Sequence, residues 1–236
     1  MEFSLSPRLL AVADWVPPDC RLADIGTDHA LLPAWLLLQG RIRSAIAADL
    51  RPGPLRRAAE TVSRFGLDCR IDLRLSDGLD GLEQHEADCV VMAGMGGETI
   101  RGILAKAPWT RTDTLLVLQP QSKGPQLRRW LAENGYSILR ERCVHDSGHW
   151  YPILLVHGGT DDVRWTPGTL LAGQPSRWER EPGRAAYLRS LLEHCARQRD
   201  GLLSALHRDE MRLETIGQAM AELEIWVDTL QKEQSK

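Results

Sequence analysis

The stretch RLADIGTDHALLP, residues 21–33, places Asp24 and Gly26 where an apolar run gives way to a helical one, so that the helix N-terminus faces any ligand lying beyond the strand. A dinucleotide fold wants G-x-G-x-x-G at such a junction, with bare N–H groups for a pyrophosphate. Here Asp28 occupies the second glycine position and Ala30 lies two further on. A carboxylate at that point disfavours NAD and favours a ligand with a positively charged group, such as the amino group of S-adenosylmethionine. Asp28 also suits the role of helix N-cap, and the two roles are compatible.

Asp49 ends a second apolar run after Gly26, at about the 20-residue spacing where an acidic residue accepts hydrogen bonds from ribose hydroxyls. Asp77, in LRLSDGLDGL, follows a third run and could receive the exocyclic amine of an adenine, although Asp-Gly is also a common turn pair. Three carboxylates at three successive strand ends are more specific than any one of them, because open α/β sheets bind ligands at that edge. DCVVMAGMGGETI, residues 88–100, supplies a fourth strand end. Gly94, Gly96 and Gly97 make no phosphate fingerprint, since Thr99 stands at the third glycine position. Their glycines serve either close helix-to-strand packing or an aromatic base sliding against bare backbone, whose carbonyls accept hydrogen bonds from the base amine.

Holding these residues in place requires a particular scaffold. Apolar runs near 21–25, 44–49, 70–75, 87–93 and 113–118 alternate with the amphipathic stretches HALLPAWLLLQG, PGPLRRAAETVSRFG, GGETIRGILAKA and KGPQLRRWLAENG, the pattern of βαβ units in a parallel sheet. YSILRERCVH and WYPILLVHG follow with no room for a helix between them, which predicts a closing antiparallel hairpin, the topology of the class I methyltransferase sheet. Gly158 to about Pro182 reads as a linker with one short helical turn. Beyond it Leu188, Leu192, Cys195, Leu202, Leu206, Leu213, Ile216, Met220, Leu223, Val227 and Leu230 follow an alternating three-four spacing, a coiled-coil seam with a turn expected at HRDE, residues 207–210. The division expected is a catalytic domain over 1–160 and a linker with a helical coiled-coil domain over 161–236.

A net charge of −3 gives no global basic field, so a nucleic-acid footprint must be local, with Arg177, Arg180, Arg184 and Arg189 as candidates on one face of the tail. Five scattered cysteines with no C-x-x-C pair argue for reduced thiols and against a metal site, which suits the cytoplasm. The N-terminus lacks the pattern of a signal peptide, and the apolar run LLPAWLLL is too short to span a bilayer.

ADIGTDHALLP, AIAADL, LSDGL, CVVMAGMGGETIRGIL, LVLQPQSKGPQLRRWLAENGY and the helical tail together resemble the bacterial tRNA (adenine-N1)-methyltransferase family that modifies adenine 22 of tRNA. The resemblance implies a Rossmann-like class I methyltransferase fold with S-adenosylmethionine as cofactor and tRNA as partner. It implies cofactor contacts at Asp24, Gly26, Thr27, Asp28, His29, Asp49, Asp77 and Gly78, continuing to Ala93 and Gly94. Gly94, Met95, Gly96 and Gly97 stand where other base methyltransferases carry an Asn-Pro-Pro-Tyr turn. Three departures bear on the choice of base. Leu31 replaces a tyrosine that could stack on it, Gln121 replaces an asparagine, and GHWY replaces Gly-Lys-x-Tyr, which makes Trp150 a candidate for the missing stacking face.

Adenine N1 keeps its lone pair at neutral pH, so proximity and orientation are the main demands on such a site. Positive charge then moves onto the base, and Asp28 is the carboxylate expected to meet it, with Gly94, Met95 and Gly96 around the base edge. His29 either takes the product's proton or is a hydrogen-bonded structural histidine. A same-fold methyltransferase acting on another RNA or a small molecule, and a non-catalytic RNA-binding scaffold, are the competing readings. Monomer and homodimer are both open.

Overall fold

Five apolar runs rich in alanine, valine, leucine and isoleucine form parallel strands because both faces of the sheet are covered by helices, as near-continuous hydrophobic strands require. In the computed structural model, which describes residues 4–205 and 207–234, they are β1 (Arg21–Ile25), β2 (Ser44–Asp49), β3 (Ile71–Leu75), β4 (Cys89–Met95) and β5 (Leu115–Pro120). The expected hairpin is β6 (Tyr136–Asp146) and β7 (His149–Gly158). The sheet order is β3-β2-β1-β4-β5-β7-β6, with β7 antiparallel to β5. β1 lies between β2 and β4, all three parallel, so the chain reverses its direction of travel across the sheet there, and the carboxyl ends of β1 and β4 flank the crevice where open sheets bind ligands.

The helices α1 (Pro7–Ala13), α2 (Leu31–Leu38), α3 (Pro52–Arg64), α4 (Gly97–Lys106) and α5 (Gly124–Glu133) cover the sheet. α1 starts at Ser6, whose hydroxyl accepts the Leu9 N–H at 3.4 Å, and Pro7 fits its first position because no donor is needed there. Leu22, Val91, Val117 and Ile153 from four strands join Val12, Leu36 and Ala58 in one buried cluster. β4 and β5 stay in register from Cys89–Leu115 to Ala93–Gln119, then slip, so that Met95 pairs with Pro120. The residue left over is Gly94, at φ +84°, a bulge that bends the end of β4.

Contacts divide the chain into two compact units. The first runs to Arg140 and resumes over Val144–Asp161; the second takes Glu141–Cys143 and the chain from Asp162 on. Within the stretch 158–182, for which one short helical turn was expected, the second unit contains such a helix. Thr166 caps a helix α6 (Pro167–Ala172) through a reciprocal pair of bonds with Thr169, and Leu170 and Ala172 are buried. Gly168 lacks a side chain because a Cβ would meet the Glu222 carboxylate at 2.7 Å.

The tail forms two helices, α7 (Arg184–Leu203) and α8 (Glu210–Gln234), which pack on each other with the expected turn between them. Leu188, Cys195, Ile216, Leu223 and Val227 of the seam are buried, whereas Leu202, Leu192, Leu213, Met220 and Leu230 are half-buried and Leu206 lies outside the described residues. Arg184 is not available to a phosphate: it is buried, its guanidinium sits 4.9 Å from the Trp178 ring centre, and Nη2 donates to the Glu141 carbonyl at 3.1 Å.

Gly158 marks a tight crossing in the first unit, where a Cβ would lie 1.8 Å from the Arg111 carbonyl oxygen. Neither backbone can yield cheaply, so Gly158→Ala should destabilise the protein by about 1–3 kcal/mol or more. Gly53, in the first turn of α3 with open space around it, is the control, and Gly53→Ala should be neutral or slightly stabilising. Urea midpoints at unchanged slope measure both; a wild-type midpoint for Gly158→Ala would contradict the crossing.

Candidate active site

β1 delivers Asp24 into a buried position, where the Thr27 hydroxyl donates to Oδ2 at 2.6 Å. Desolvation pushes its carboxyl up to about 6; the Thr27 hydrogen bond opposes the shift and the Asp49 carboxylate adds to it. Gly26 turns at φ +78°, and its N–H and that of Thr27 both donate to the Ala48 carbonyl, at 2.8 and 3.0 Å. This ties the turn after β1 to the end of β2. Asp49 is buried there, with Oδ1 accepting the Arg51 N–H at 2.8 Å. Adjacent strand ends thus hold two buried carboxylates near enough to repel each other.

Asp49 Oδ1 also lies 3.6 Å from Nε of the exposed Arg51, whereas the other two carboxylates are themselves exposed and meet cations from flanking helices. Asp28 forms an ion pair with Arg57 of α3, and His29 Nε2 lies 3.4 Å from its Oδ2. Asp28 is not the N-cap of α2: Ala30 takes that place in a left-handed conformation, φ 50°, with no side-chain bond. Asp77 receives Lys106 Nζ of α4 at 2.9 Å, and Gly78 follows at φ +61° with Ile103 occupying the space of its missing Cβ. Neither Arg57 nor Lys106 was foreseen. Each partner lies 29 residues from its aspartate, across a helix or strand, so no local pattern announces the pair.

The glycine turn divides by function. Gly97 is required by packing: a Cβ would meet the carbonyl oxygens of Lys123 and Ser122 at 2.8 and 2.9 Å, and its N–H donates to Ser122 at 2.8 Å. Gly96 faces the Ser122 hydroxyl, 3.1 Å from where its Cβ would be. Gly94 differs, because the atoms nearest to where its Cβ would be are polar side-chain tips, Arg8 Nη1 at 3.6 Å and Gln121 Nε2 at 3.8 Å. The Gly94 N–H donates to Oε1 of the buried Gln119 at 3.1 Å. Met95 reaches back to β1, with Cε 2.7 Å from the place a Gly26 Cβ would take. The ends of β1 and β4 therefore meet through Gly26 and Met95, Ala93 and Gly94 being half-buried beside them.

Trp150 does not turn toward this site. It packs on His145, ring centres 5.0 Å apart, on one face of the hairpin. Alternation along β7 puts His149 and Tyr151 on the other face, 6.4 Å apart, where the Arg8 guanidinium lies 5.6 Å from the Tyr151 ring centre. Leu31, half-buried, opens α2.

Residues 5–154 match the family model described as a methyltransferase domain. The curated tRNA (adenine(22)-N(1))-methyltransferase of Bacillus subtilis strain 168 is 35% identical over 173 residues, 73% of each chain. This chain belongs to that family. The crystal structure of the B. subtilis m1A22 tRNA methyltransferase TrmK matches it with a TM-score of 0.82 at 28% identity, covering 96% of this chain and 100% of that one. Streptococcus pneumoniae Sp1610 in complex with S-adenosyl-L-methionine matches with a TM-score of 0.79 at 28% identity, covering 93% and 99%. The tRNA methyltransferase fold thus accounts for the chain nearly end to end, helical tail included.

Asp24 gives the family's first strand end a pH signature. Its carboxyl releases a proton near 3.8 when unfolded and near 6 when folded, so between those values the folded state binds more protons and stability falls as pH rises. Asp24→Asn removes that slope. The melting temperature of the variant minus that of the wild type should be larger at neutral pH than near pH 4, and equal differences would refute the buried-carboxylate assignment.

Proposed function

We propose that this protein transfers the methyl group of S-adenosylmethionine to N1 of an adenine in tRNA, adenine 22 being the position named for its B. subtilis relative. Membership of that family carries the reading, and the pair of buried carboxylates at the ends of β1 and β2 supports it. The donor set suits this cofactor: Asp24 meets an ammonium group, which restores the charge partner its burial lacks, and Asp49 accepts ribose hydroxyls. Gly26 and Thr27 line the amino-acid end. Asp77, Gly78, Ala93 and Gly94 flank the adenine, Asp77 keeping Lys106 as its counter-ion.

When bound, S-adenosylmethionine supplies an electrophilic methyl group, which the N1 lone pair of adenine takes without prior deprotonation. The work left to the chain is orientation. The target base must be unpaired and unstacked to expose N1. The backbone of Gly94, Met95 and Gly96 admits its edge, with carbonyls that accept from the exocyclic amine. Asp28 meets the positive charge that develops on the ring, and His29 beside it receives the product's proton. Because Arg57 already neutralises Asp28, the pair acts as an oriented dipole rather than a bare charge. Arg177, Arg180 and Arg189 of the second unit offer phosphate contacts, and tRNA in the cytoplasm is the partner. Among the described residues, no helix is long and apolar enough to cross a membrane.

Methylation of total tRNA from a strain lacking the gene, followed by nucleoside mass spectrometry, should yield 1-methyladenosine; a product methylated elsewhere would replace this reading. Asp49→Ala should weaken calorimetric binding of S-adenosylmethionine by about 1–3 kcal/mol, the range for a lost polar partner. Asp28→Asn should lower turnover about tenfold with affinity for the cofactor nearly unchanged, less than a fully unpaired charge would give. Equal loss of both would make Asp28 a cofactor anchor only.

A further inference from the structure

Arg8 occupies an unfavourable place for a helical residue. It is the second residue of α1, where the positive end of the helix dipole repels a cation, and the first turn contains no acidic residue. Its contacts explain why it stands there. Nη1 donates to Gln119 Oε1 at 2.8 Å, the same oxygen that accepts the Gly94 N–H at 3.1 Å. The guanidinium lies over Tyr151, and the Arg8 backbone N–H donates to Asp146 Oδ2 at 3.3 Å, a carboxylate from the hairpin that serves the helix start. Gln119 is buried, and its Nε2 donates to the Pro120 carbonyl at 3.2 Å, which fixes the amide with Oε1 toward Arg8 and Gly94.

We infer that Arg8 is a positioning residue for the methyl-transfer site: through Gln119 it holds the Gly94 bulge in the one conformation that presents the turn's backbone to the substrate base. The chain of contacts has no slack. A bulge at the end of β4 has lost its ladder partner, so the Gly94 N–H depends on Oε1 of Gln119. The Pro120 carbonyl sets which way the Gln119 amide faces, and Arg8 is the second donor that holds Oε1 where the Gly94 N–H reaches it. The guanidinium also lies over the Tyr151 ring, 5.6 Å from its centre, a cation–π contact that lysine's compact ammonium does not reproduce in the same geometry. Arg8 touches neither the cofactor carboxylates nor Asp28 in this scheme, so its loss should disturb orientation of the base and spare the cofactor.

This inference rests on the proposed tRNA reaction, and the experiment separates the two. In Arg8→Ala, amide hydrogen exchange at Gly94, followed by NMR on the full chain, should quicken about tenfold or more as the bulge opens locally. Turnover on unmodified tRNA should fall by about ten- to a hundredfold, as misplacement of a reacting group does, while the Kd for S-adenosylmethionine stays within about twofold. Arg8→Lys should fall between the alanine variant and the wild type in both readouts, since it keeps a donor for Gln119 and loses the guanidinium over Tyr151. Combining Arg8→Ala with Gln119→Leu should cost no more turnover than the worse single variant, because both cut the same chain.

Unchanged Gly94 exchange in Arg8→Ala and in Arg8→Lys would overturn the inference, and so would turnover losses that multiply in the double variant. Loss of cofactor affinity in proportion to turnover would likewise overturn it, by making Arg8 a general structural residue. A wild-type protein inactive on tRNA would refute the proposed function alone, since the exchange measurement needs no substrate.

Discussion

Burial of the Asp24 carboxylate near the end of β1 is the constraint around which the first unit is arranged. A charge in that position is costly, and the protein offsets only part of the cost, with one hydroxyl from Thr27 and with Asp49 nearby raising it further. Such a residue persists when a ligand completes its surroundings. The sheet order makes this possible: β1 lies between β2 and β4, so its carboxyl end opens on the crevice instead of on a crossing loop.

The slip between β4 and β5 is the second half of that arrangement. A strand in perfect register would carry its last side chains straight out of the sheet. The bulge at Gly94 instead turns the chain back, so that Met95 lies against Gly26 and Gly97 can dock on the carbonyls of Ser122 and Lys123. Three glycines that look alike in the sequence therefore answer three demands. Gly97 allows a close approach of backbone, Gly94 adopts a conformation closed to most side chains, and Gly96 leaves room before the Ser122 hydroxyl.

The parallel strands, their helices and the closing hairpin were legible because each is a local pattern of five to thirteen residues whose apolar period matches the element. The turn between α7 and α8 was legible for the same reason, the seam carrying polar residues at 207–210. The segment after Gly158 was legible only as far as one short helical turn. Its Gly, Pro and Thr content resembles a linker, yet Thr166 and Thr169 build a capped helix, and only burial of Leu170 and Ala172 against its own unit makes six residues hold as a helix. Arg184 failed as an RNA contact for a related reason: sequence shows a charge, and only packing shows that Trp178 covers it.

The carboxylates at the strand ends look equivalent by position, and the structure separates them by solvent and by partner. Asp24 and Asp49 are buried: Asp24 accepts from a hydroxyl, and Asp49 accepts a backbone N–H and lies 3.6 Å from the Nε of the exposed Arg51. Asp28 and Asp77 are exposed and each is met by a cation from a flanking helix, Arg57 of α3 and Lys106 of α4. An exposed ion pair contributes little to stability, because water screens it and two long side chains must be ordered to form it. Its effect is on chemistry: it fixes where the carboxylate points and lowers the net charge that a ligand meets. The interior pair differs because it is held from water at adjacent strand ends, where desolvation raises the cost of charging Asp24 and the Asp49 carboxylate adds to it.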